Sequence, residues 1–180
     1  MSKTEEKQLI KQCLRHDRLA QRMLYEKYKA AMYTCALRIT NDQMSAQDVL
    51  QEAFIKVFKN LASFRGQSTL GSWIKTIVVR TALREVRGLH LHVDMNEYSV
   101  EAQVSFDDTL TGPLLHELVK SLPDKCRVVF SLIEIEGFAH KEVAAMLGVK
   151  EGTSKSQLFY AKQMLKKKLE LRGYEQRKRG

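Results

Sequence analysis

The sequence has few of the residues that interrupt helices or cross-link loops. Its 180 residues include only two prolines, nine glycines and three cysteines. The cysteines are odd in number, lie far apart and form no CxxC pair, so neither a zinc ribbon nor a disulfide framework is predicted. No Asn-Gly or Asp-Gly pair is present. The tight β-hairpins that favour such pairs are therefore not indicated.

Long apolar runs and enzyme motifs are also missing. No segment approaches the roughly 18 apolar residues of a membrane helix, and the charged N-terminus does not resemble a signal peptide. We therefore expect a cytoplasmic protein without membrane insertion. No phosphate loop, GxSxG elbow or dinucleotide fingerprint occurs. His90 and His92 have no nearby cysteine or third histidine, so we predict no metal, no cofactor and no catalytic residue.

Positive charge dominates the composition. The net charge is +9, from 30 Lys and Arg against 21 Asp and Glu. Residues 1–90 carry 16 basic and 8 acidic side chains, residues 91–119 carry 6 acidic and no basic ones, and residues 120–180 carry 14 and 7. Two basic blocks thus flank an acidic one, which indicates a polyanionic partner such as a nucleic acid.

Apolar residues recur at three- and four-residue spacing through most of the chain, which predicts an all-α protein. We place one small helical domain at residues 1–88, an acidic linker at 89–111 and a second small helical domain at 112–180. Helices are expected to begin near eight positions: Ser2, Asp17, Ser45, Thr69, Pro113, Pro123, His140 and Gly152.

The second predicted domain contains a helix-turn-helix pattern. A short helix from His140 to Leu147 stops at Gly148, and the next helix begins with small polar and basic residues. Such a start suits the major groove of DNA and the phosphates beside it. Two ordinary packed helices are the alternative interpretation. The lysines at position 162 and at 166–168 favour DNA.

The first predicted domain offers a basic face and an acidic one. Arg80, Arg84 and Arg87 share one side of a helix that Trp73 leads. Arginines can follow a phosphate backbone, and an aromatic ring can stack on an unpaired base. For Trp73 taken alone, core packing at a helix start is slightly favoured over base stacking. Earlier in the chain, carboxylates at positions 48 and 52 form either a solvated helix face or a docking patch for a basic partner.

These motifs together resemble a known family. Residues 22–87 and 114–170 are similar to the two conserved regions of extracytoplasmic-function (ECF) sigma factors, promoter-specificity subunits of RNA polymerase in the sigma-70 family. The segment AQDVLQEAFIKVF at 46–58 resembles the region that contacts the polymerase clamp helices, and FRG at 64–66 and WI at 73–74 follow at the family's spacing. The segment GTSKSQL at 152–158 resembles the recognition-helix signature.

The resemblance implies a role for each candidate residue. Core polymerase would be bound by Asp48, Gln51, Glu52 and Ile55. The unpaired minus-ten element of promoter DNA would be held by Phe64, Arg65, Gln67, Ser68, Trp73, Arg80, Arg84 and Arg87. The minus-thirty-five element would be met by Thr153, Ser154, Lys155, Ser156, Tyr160 and Lys162. The acidic linker would enter basic channels of the polymerase, and an anti-sigma factor is an expected partner.

Three positions depart from the family pattern and leave the promoter sequence open. Arg80 replaces a usual asparagine, Ser154 an aliphatic residue and Gln157 an arginine. Two other functions remain as alternatives to a sigma factor. One is an ordinary helix-turn-helix regulator that binds duplex DNA without polymerase, and the other is a basic RNA-binding helical protein. An enzyme is the least favoured.

Overall fold

The computed structural model describes residues 3–86 and 112–179, with side chains over residues 4–86 and 114–171. All regular structure in these ranges is helical, which confirms the predicted all-α class. The chain divides into two compact units, unit 1 (Met1–Leu89) and unit 2 (His90–Gly180). The predicted acidic linker and Arg87 lie outside the described residues, so the domain boundaries remain predictions.

Within unit 1, residues 3–86 form four α-helices. They are α1 (Lys3–Leu14), α2 (Arg18–Thr40), α3 (Gln43–Asn60) and α4 (Leu70–Val86). A 3₁₀ turn at Leu61–Ser63 ends α3. Helices α2, α3 and α4 pack against one another and enclose the core, whose fully buried members include Leu24, Ile39, Val57, Leu70, Ile74 and Val78.

Polar side chains fix where the helices of unit 1 begin. The Asp17 carboxylate accepts hydrogen bonds from the amides of Leu19 and Ala20, 2.8 and 3.1 Å away, as predicted for a cap of α2. Asp42 caps α3 by accepting from the Ser45 amide at 2.7 Å. Because this cap lies at position 42, α3 begins two residues earlier than the pattern predicted.

The start of α4 lies against α2. The Thr69 hydroxyl accepts a hydrogen bond from the Ser72 amide at 3.1 Å and so caps α4. A Cβ atom added to Gly71 would come within 3.2 Å of Tyr28 Cε1, closer than ordinary van der Waals contact. Glycine therefore permits this close approach of the two helices, which sets the position of the loop before α4.

The described part of unit 2, residues 112–179, contains four further α-helices. They are α5 (Gly112–Lys120), α6 (Asp124–Phe130), α7 (His140–Leu147) and α8 (Glu151–Arg179). A π-helical segment, Ser131–Ile135, continues α6. Many of the buried residues lie on α6, the π-helical segment and α8, among them Val128, Val129, Phe130, Leu132, Leu158, Ala161 and Leu165.

Glycines in the left-handed region terminate the helices of unit 2. Gly137, with φ of +79°, follows the π-helical segment, and Gly148, with φ of +71°, follows α7. The Gly148 amide donates to the carbonyl of Ala144, as in a C-terminal cap. The predicted stop at Gly148 is confirmed, and α7 has the predicted bounds. Helix α8 begins one residue before the predicted start at Gly152 and extends to Arg179.

Some apolar residues that the periodicity assigned to the core are exposed. The exposed fractions are 68% for Leu19, 56% for Met23 and 37% for Met164. The prediction was wrong at these positions because three- and four-residue spacing marks a broad helix face, whereas packing covers only part of it.

Candidate nucleic-acid interface

One side of α3 carries the residues predicted to bind polymerase. Asp48 and Gln51 are exposed, and Ile55 is 54% exposed. One turn before Asp48, Met44 is 76% exposed on the same side of the helix. We call Met44, Asp48, Gln51, Glu52 and Ile55 the α3 face. Uncovered apolar side chains beside carboxylates are typical of a protein-binding surface.

Glu52, also on the α3 face, is engaged within unit 1. Its Oε1 atom accepts a hydrogen bond from Arg84 Nη2 on α4 and lies 3.1 Å from Lys56 Nζ. The hydrogen bond from Arg84, followed by that from Lys56, lowers the pKa of Glu52, and Glu52 in turn raises the pKa of Arg84. Lys56 Nζ also donates to Thr81 Oγ1 at 3.0 Å. Glu52, which is predicted to bind polymerase, is thus hydrogen-bonded to Arg84, which is predicted to bind DNA.

The loop before α4 presents polar side chains beside an aromatic pair. Arg65, Gln67 and Ser68 are exposed. Phe64 and Trp73 are half-buried, and their ring centroids lie 5.5 Å apart at 53°. The aromatic contact joins the first residue of the loop to the first turn of α4, so it gives the loop a fixed base. Trp73 therefore combines packing with partial exposure.

Arg80 and Arg84 lie one turn apart on α4, and both are exposed. Their separation suits contact with successive phosphates of one strand, because long cationic side chains on neighbouring turns can follow a backbone. The third predicted member, Arg87, falls outside the described residues.

In unit 2, α7 and α8 form the helix-turn-helix. Lys155 is exposed, and Thr153, Ser156 and Tyr160 are half-buried on α8. Ser154 is fully buried, and its hydroxyl lies 3.0 Å from His140 Nδ1 at the start of α7. Its predicted direct contact with DNA is therefore corrected. The side chain points into the unit because position 154 lies on the inward side of α8, and it joins the two helices of the motif.

The two lysines among the minus-thirty-five candidates are paired with carboxylates. Lys155 Nζ lies 2.8 Å from Glu151 Oε1 one turn earlier on α8, and Lys155 lowers the pKa of Glu151. Lys162 Nζ lies 2.8 Å from Glu134 Oε1 in the π-helical segment. DNA phosphates would have to replace these carboxylates as partners of the lysines.

Several residues in these sites were missed by the sequence interpretation. The four-residue spacing of Glu52 and Lys56 is a local signal that could have identified Lys56. Met44 continues the exposed side of α3 by one turn and could also have been found. Thr81 and Glu134 reach their partners only through packing between elements, so no local pattern marks them.

Two family models match the chain in the expected order. Residues 24–90 match Sigma-70 region 2, and residues 114–165 match Sigma-70, region 4. The first range contains the α3 face, the loop and α4, and the second contains the helix-turn-helix.

Curated relatives match over nearly their whole length. The chain is 26% identical to the RNA polymerase sigma-H factor of Pseudomonas aeruginosa, over 94% of this chain and 96% of the relative. It is 25% identical to the ECF RNA polymerase sigma-E factor of Haemophilus influenzae, over 90% and 94% of the two chains.

Solved structures share the fold. CnrH, determined in complex with the cytosolic domain of CnrY, aligns with a TM-score of 0.53 and 18% identity over 91% of this chain and 96% of CnrH. The sigma factor RpoE of Bartonella quintana, determined with the anti-sigma factor NepR, aligns with a TM-score of 0.52 and 22% identity. This second alignment covers 83% of this chain and 96% of RpoE.

Proposed function

Because this chain belongs to the sigma-70 family of RNA polymerase sigma factors, in its ECF group, we propose that its two units divide the work of promoter recognition. Unit 1 docks on core RNA polymerase and holds the melted minus-ten strand. Unit 2 reads the minus-thirty-five duplex. The protein supplies specificity, and the polymerase supplies catalysis. We place it in the cytoplasm because bacterial transcription takes place there.

One observation carries this proposal. The α3 face and the loop before α4, which is anchored by the Phe64–Trp73 contact, both lie within the segment that matches Sigma-70 region 2. A duplex-binding regulator needs the helix-turn-helix alone. Uncovered Met44 and Ile55 beside carboxylates suit a basic helical partner with some apolar surface. The exposed polar loop and half-buried Trp73 suit an unpaired base.

In unit 2, the start of α8 supplies the candidate contacts with the duplex. Thr153, Lys155, Ser156 and Tyr160 would meet base edges or phosphates after α8 enters the major groove. Ser154 would act indirectly, since its bond to His140 fixes α8 against α7. Lys162 would contact a phosphate once it leaves Glu134.

An anti-sigma factor is the further partner we propose. RpoE of Bartonella quintana was solved with one, and this chain shares its fold. Exposed apolar side chains, among them Leu19 and Met23 on α2 and those of the α3 face, offer surface that such a protein could cover. Among residues 3–86 and 112–179, no helix combines the length and apolar character needed to cross a membrane.

Run-off transcription tests the central proposal. Sigma-free core polymerase is incubated with a pool of bacterial promoters, with and without the protein. Defined transcripts that require the protein are expected. If duplex DNA is bound by the protein alone but no transcript depends on it, the ordinary regulator is favoured instead. RNA binding without either activity would favour the RNA-binding alternative.

A pair of matched variants tests the docking surface. Asp48→Asn is expected to weaken the binding of core polymerase about five-fold, because it removes a charge from the α3 face. Glu26→Gln removes the same charge from α2, where Glu26 pairs with Lys29 at 2.7 Å, and should leave polymerase binding nearly unchanged. Equal effects of the two variants would argue against docking through α3.

A further inference from the structure

Two cations from different helices converge on one carboxylate oxygen in unit 1. Arg84 on α4 and Lys56 on α3 both contact Glu52 Oε1. No role follows for Lys56 from the sequence or the family resemblance, although its ammonium group lies beside that of a predicted DNA-binding arginine. The arrangement has the donors of an anion site, with a carboxylate of the same chain in the position of the anion.

The cluster is open to solvent, so its anion can be exchanged. The side chains of Arg84, Glu52 and Lys56 are 61%, 44% and 33% exposed. Ion pairs this exposed contribute little to stability, since water and salt compete for both partners. Replacing the Glu52 carboxylate with another anion would therefore cost the fold little.

Lys56 is held in place independently of Glu52. Its Nζ atom donates to Thr81 Oγ1 at 3.0 Å, and Thr81 is buried. The Thr81 hydroxyl donates its own proton to the Ile77 carbonyl at 2.9 Å, which leaves a lone pair directed to Lys56. The ammonium group thus keeps an anchor after the carboxylate has left, as a preorganised binding site requires.

We propose that Arg84 and Lys56 form a binding site for one backbone phosphate of single-stranded DNA, which Glu52 occupies in the free protein. The proposal rests on the proposed function of unit 1. A phosphate offers two non-bridging oxygens, so the guanidinium and ammonium groups can each take one. Arg80 is exposed and lies one helical turn before Arg84, so it would contact the neighbouring phosphate of the same strand.

The position of Glu52 on the α3 face links this site to polymerase. A cation of the polymerase that pairs with Glu52 would draw the carboxylate away from Arg84 and Lys56. The phosphate site would then be vacant in the assembled enzyme and filled in the free protein. Docking and strand binding would favour each other, since both require Glu52 to leave the cations.

The test is binding of a short fluorescent single-stranded oligonucleotide to the full-length protein without polymerase, followed by anisotropy at several salt concentrations. Glu52→Gln empties the site, and Glu26→Gln is the control with the same change in net charge. Glu52→Gln is expected to bind about five-fold more tightly at low salt and to steepen the logarithmic salt dependence by about 0.7, the value for one added phosphate contact on a single strand. Glu26→Gln should give less than half that gain and an unchanged slope.

A second substitution identifies the site itself. Adding Lys56→Gln to Glu52→Gln should reverse part of the gain in affinity and in slope, since Arg84 alone then remains to contact the phosphate. The proposal is overturned if Glu52→Gln binds no more tightly than Glu26→Gln, including the case in which neither binds measurably, or if Lys56→Gln has no effect in the double variant. Thermal unfolding by circular dichroism checks that each variant is folded.

This result is separable from the test of the proposed function. Run-off transcription that does not depend on the protein would reject a sigma role whatever the oligonucleotide assay gives. Normal transcription with no difference between Glu52→Gln and Glu26→Gln in oligonucleotide binding would reject the phosphate site alone.

Discussion

The two units hold their candidate DNA-binding cations in different ways. In unit 1, Arg84 pairs with Glu52, which lies 32 residues earlier in the chain and on another helix. In unit 2, Lys155 pairs with Glu151 one turn earlier on the same helix. The first pair exists only after α3 and α4 have packed, whereas the second requires only that α8 is helical. The charge environment of Arg84 therefore depends on tertiary structure. In unit 2 it depends on local sequence at Lys155 and on packing at Lys162, whose partner Glu134 lies in the π-helical segment.

The helix starts of the two units also differ. Side-chain oxygens of Asp17, Asp42 and Thr69 cap the helices of unit 1. In unit 2, α6 and α7 begin after Pro123 and Ala139, which provide no side-chain cap. Side-chain caps therefore start three helices of unit 1, whereas α6 starts after a proline and the first turn of α7 is held by the Glu142 carboxylate, which accepts from the Ala139 amide. Substitutions in the two units, including at these helix starts, should show how the two units differ in what stabilises them.

The largest expected effects come from the two cores. Leu24→Ala in unit 1 and Leu132→Ala in unit 2 each remove a fully buried side chain, and each should cost its unit about 2–5 kcal/mol. Trp73, the one tryptophan of the sequence, lies in unit 1. Tryptophan fluorescence therefore reports the urea unfolding of unit 1 in Leu24→Ala. Far-UV circular dichroism reports the urea unfolding of both variants. A loss below about 1 kcal/mol would mean that the surrounding side chains close the cavity.

The cap of α3 predicts a dependence of stability on pH. The hydrogen bond from the Ser45 amide lowers the pKa of Asp42 in the folded state. The contribution of the carboxylate is thus fully present above the unfolded pKa of about 3.9 and is lost as the pH falls through the lower folded pKa. Asp42→Asn keeps a capping oxygen without this titration. The melting temperature of the original protein should therefore fall further in acid than that of Asp42→Asn, and parallel curves would contradict the prediction.

A smaller effect is expected from the buried hydroxyl of unit 2. Ser154→Ala removes the partner of His140 Nδ1 and should destabilise unit 2 by roughly 1 kcal/mol. Because Ser154 has no exposed surface, its removal should change affinity for a minus-thirty-five duplex less than Lys155→Gln does. Fluorescence anisotropy with a labelled duplex makes the comparison. An equal loss of duplex affinity in both variants would indicate that Ser154 contacts DNA directly.

Much of the fold was predictable because its signals are local. The cap at Asp17 and the glycine stop at 148 each act within one helical turn, and they mark the start of α2 and the end of α7. Which residues of a helix face are buried was less predictable. Leu19 and Met23 fit the apolar pattern of α2, but burial depends on where α1, α3 and α4 lie against it.

The sequence predicted which kinds of residue line the candidate sites, but not which of these side chains bond to one another. The basic turns of α4 and the acidic side of α3 are visible in the sequence, whereas the bond between Arg84 and Glu52 depends on how the two helices pack. Ser154 shows the same limit. A small polar residue at the start of a recognition helix suggests DNA contact, yet His140, 14 residues earlier, accounts for its polarity inside the unit.

The smallest predicted effect would make unit 2 more like unit 1. Glu142 already accepts a hydrogen bond from the Ala139 amide at 2.8 Å, which is one half of a capping box. Ala139→Ser would supply the other half, a hydroxyl that accepts from the Glu142 amide, and should stabilise unit 2 by about 0.5–1 kcal/mol. Far-UV circular dichroism during thermal unfolding measures the gain. Ala139→Val, which enlarges the side chain without adding a hydroxyl, is the control and should give no gain. An unchanged midpoint in Ala139→Ser would mean that packing of α7 against α8, rather than its first turn, limits the stability of the helix-turn-helix.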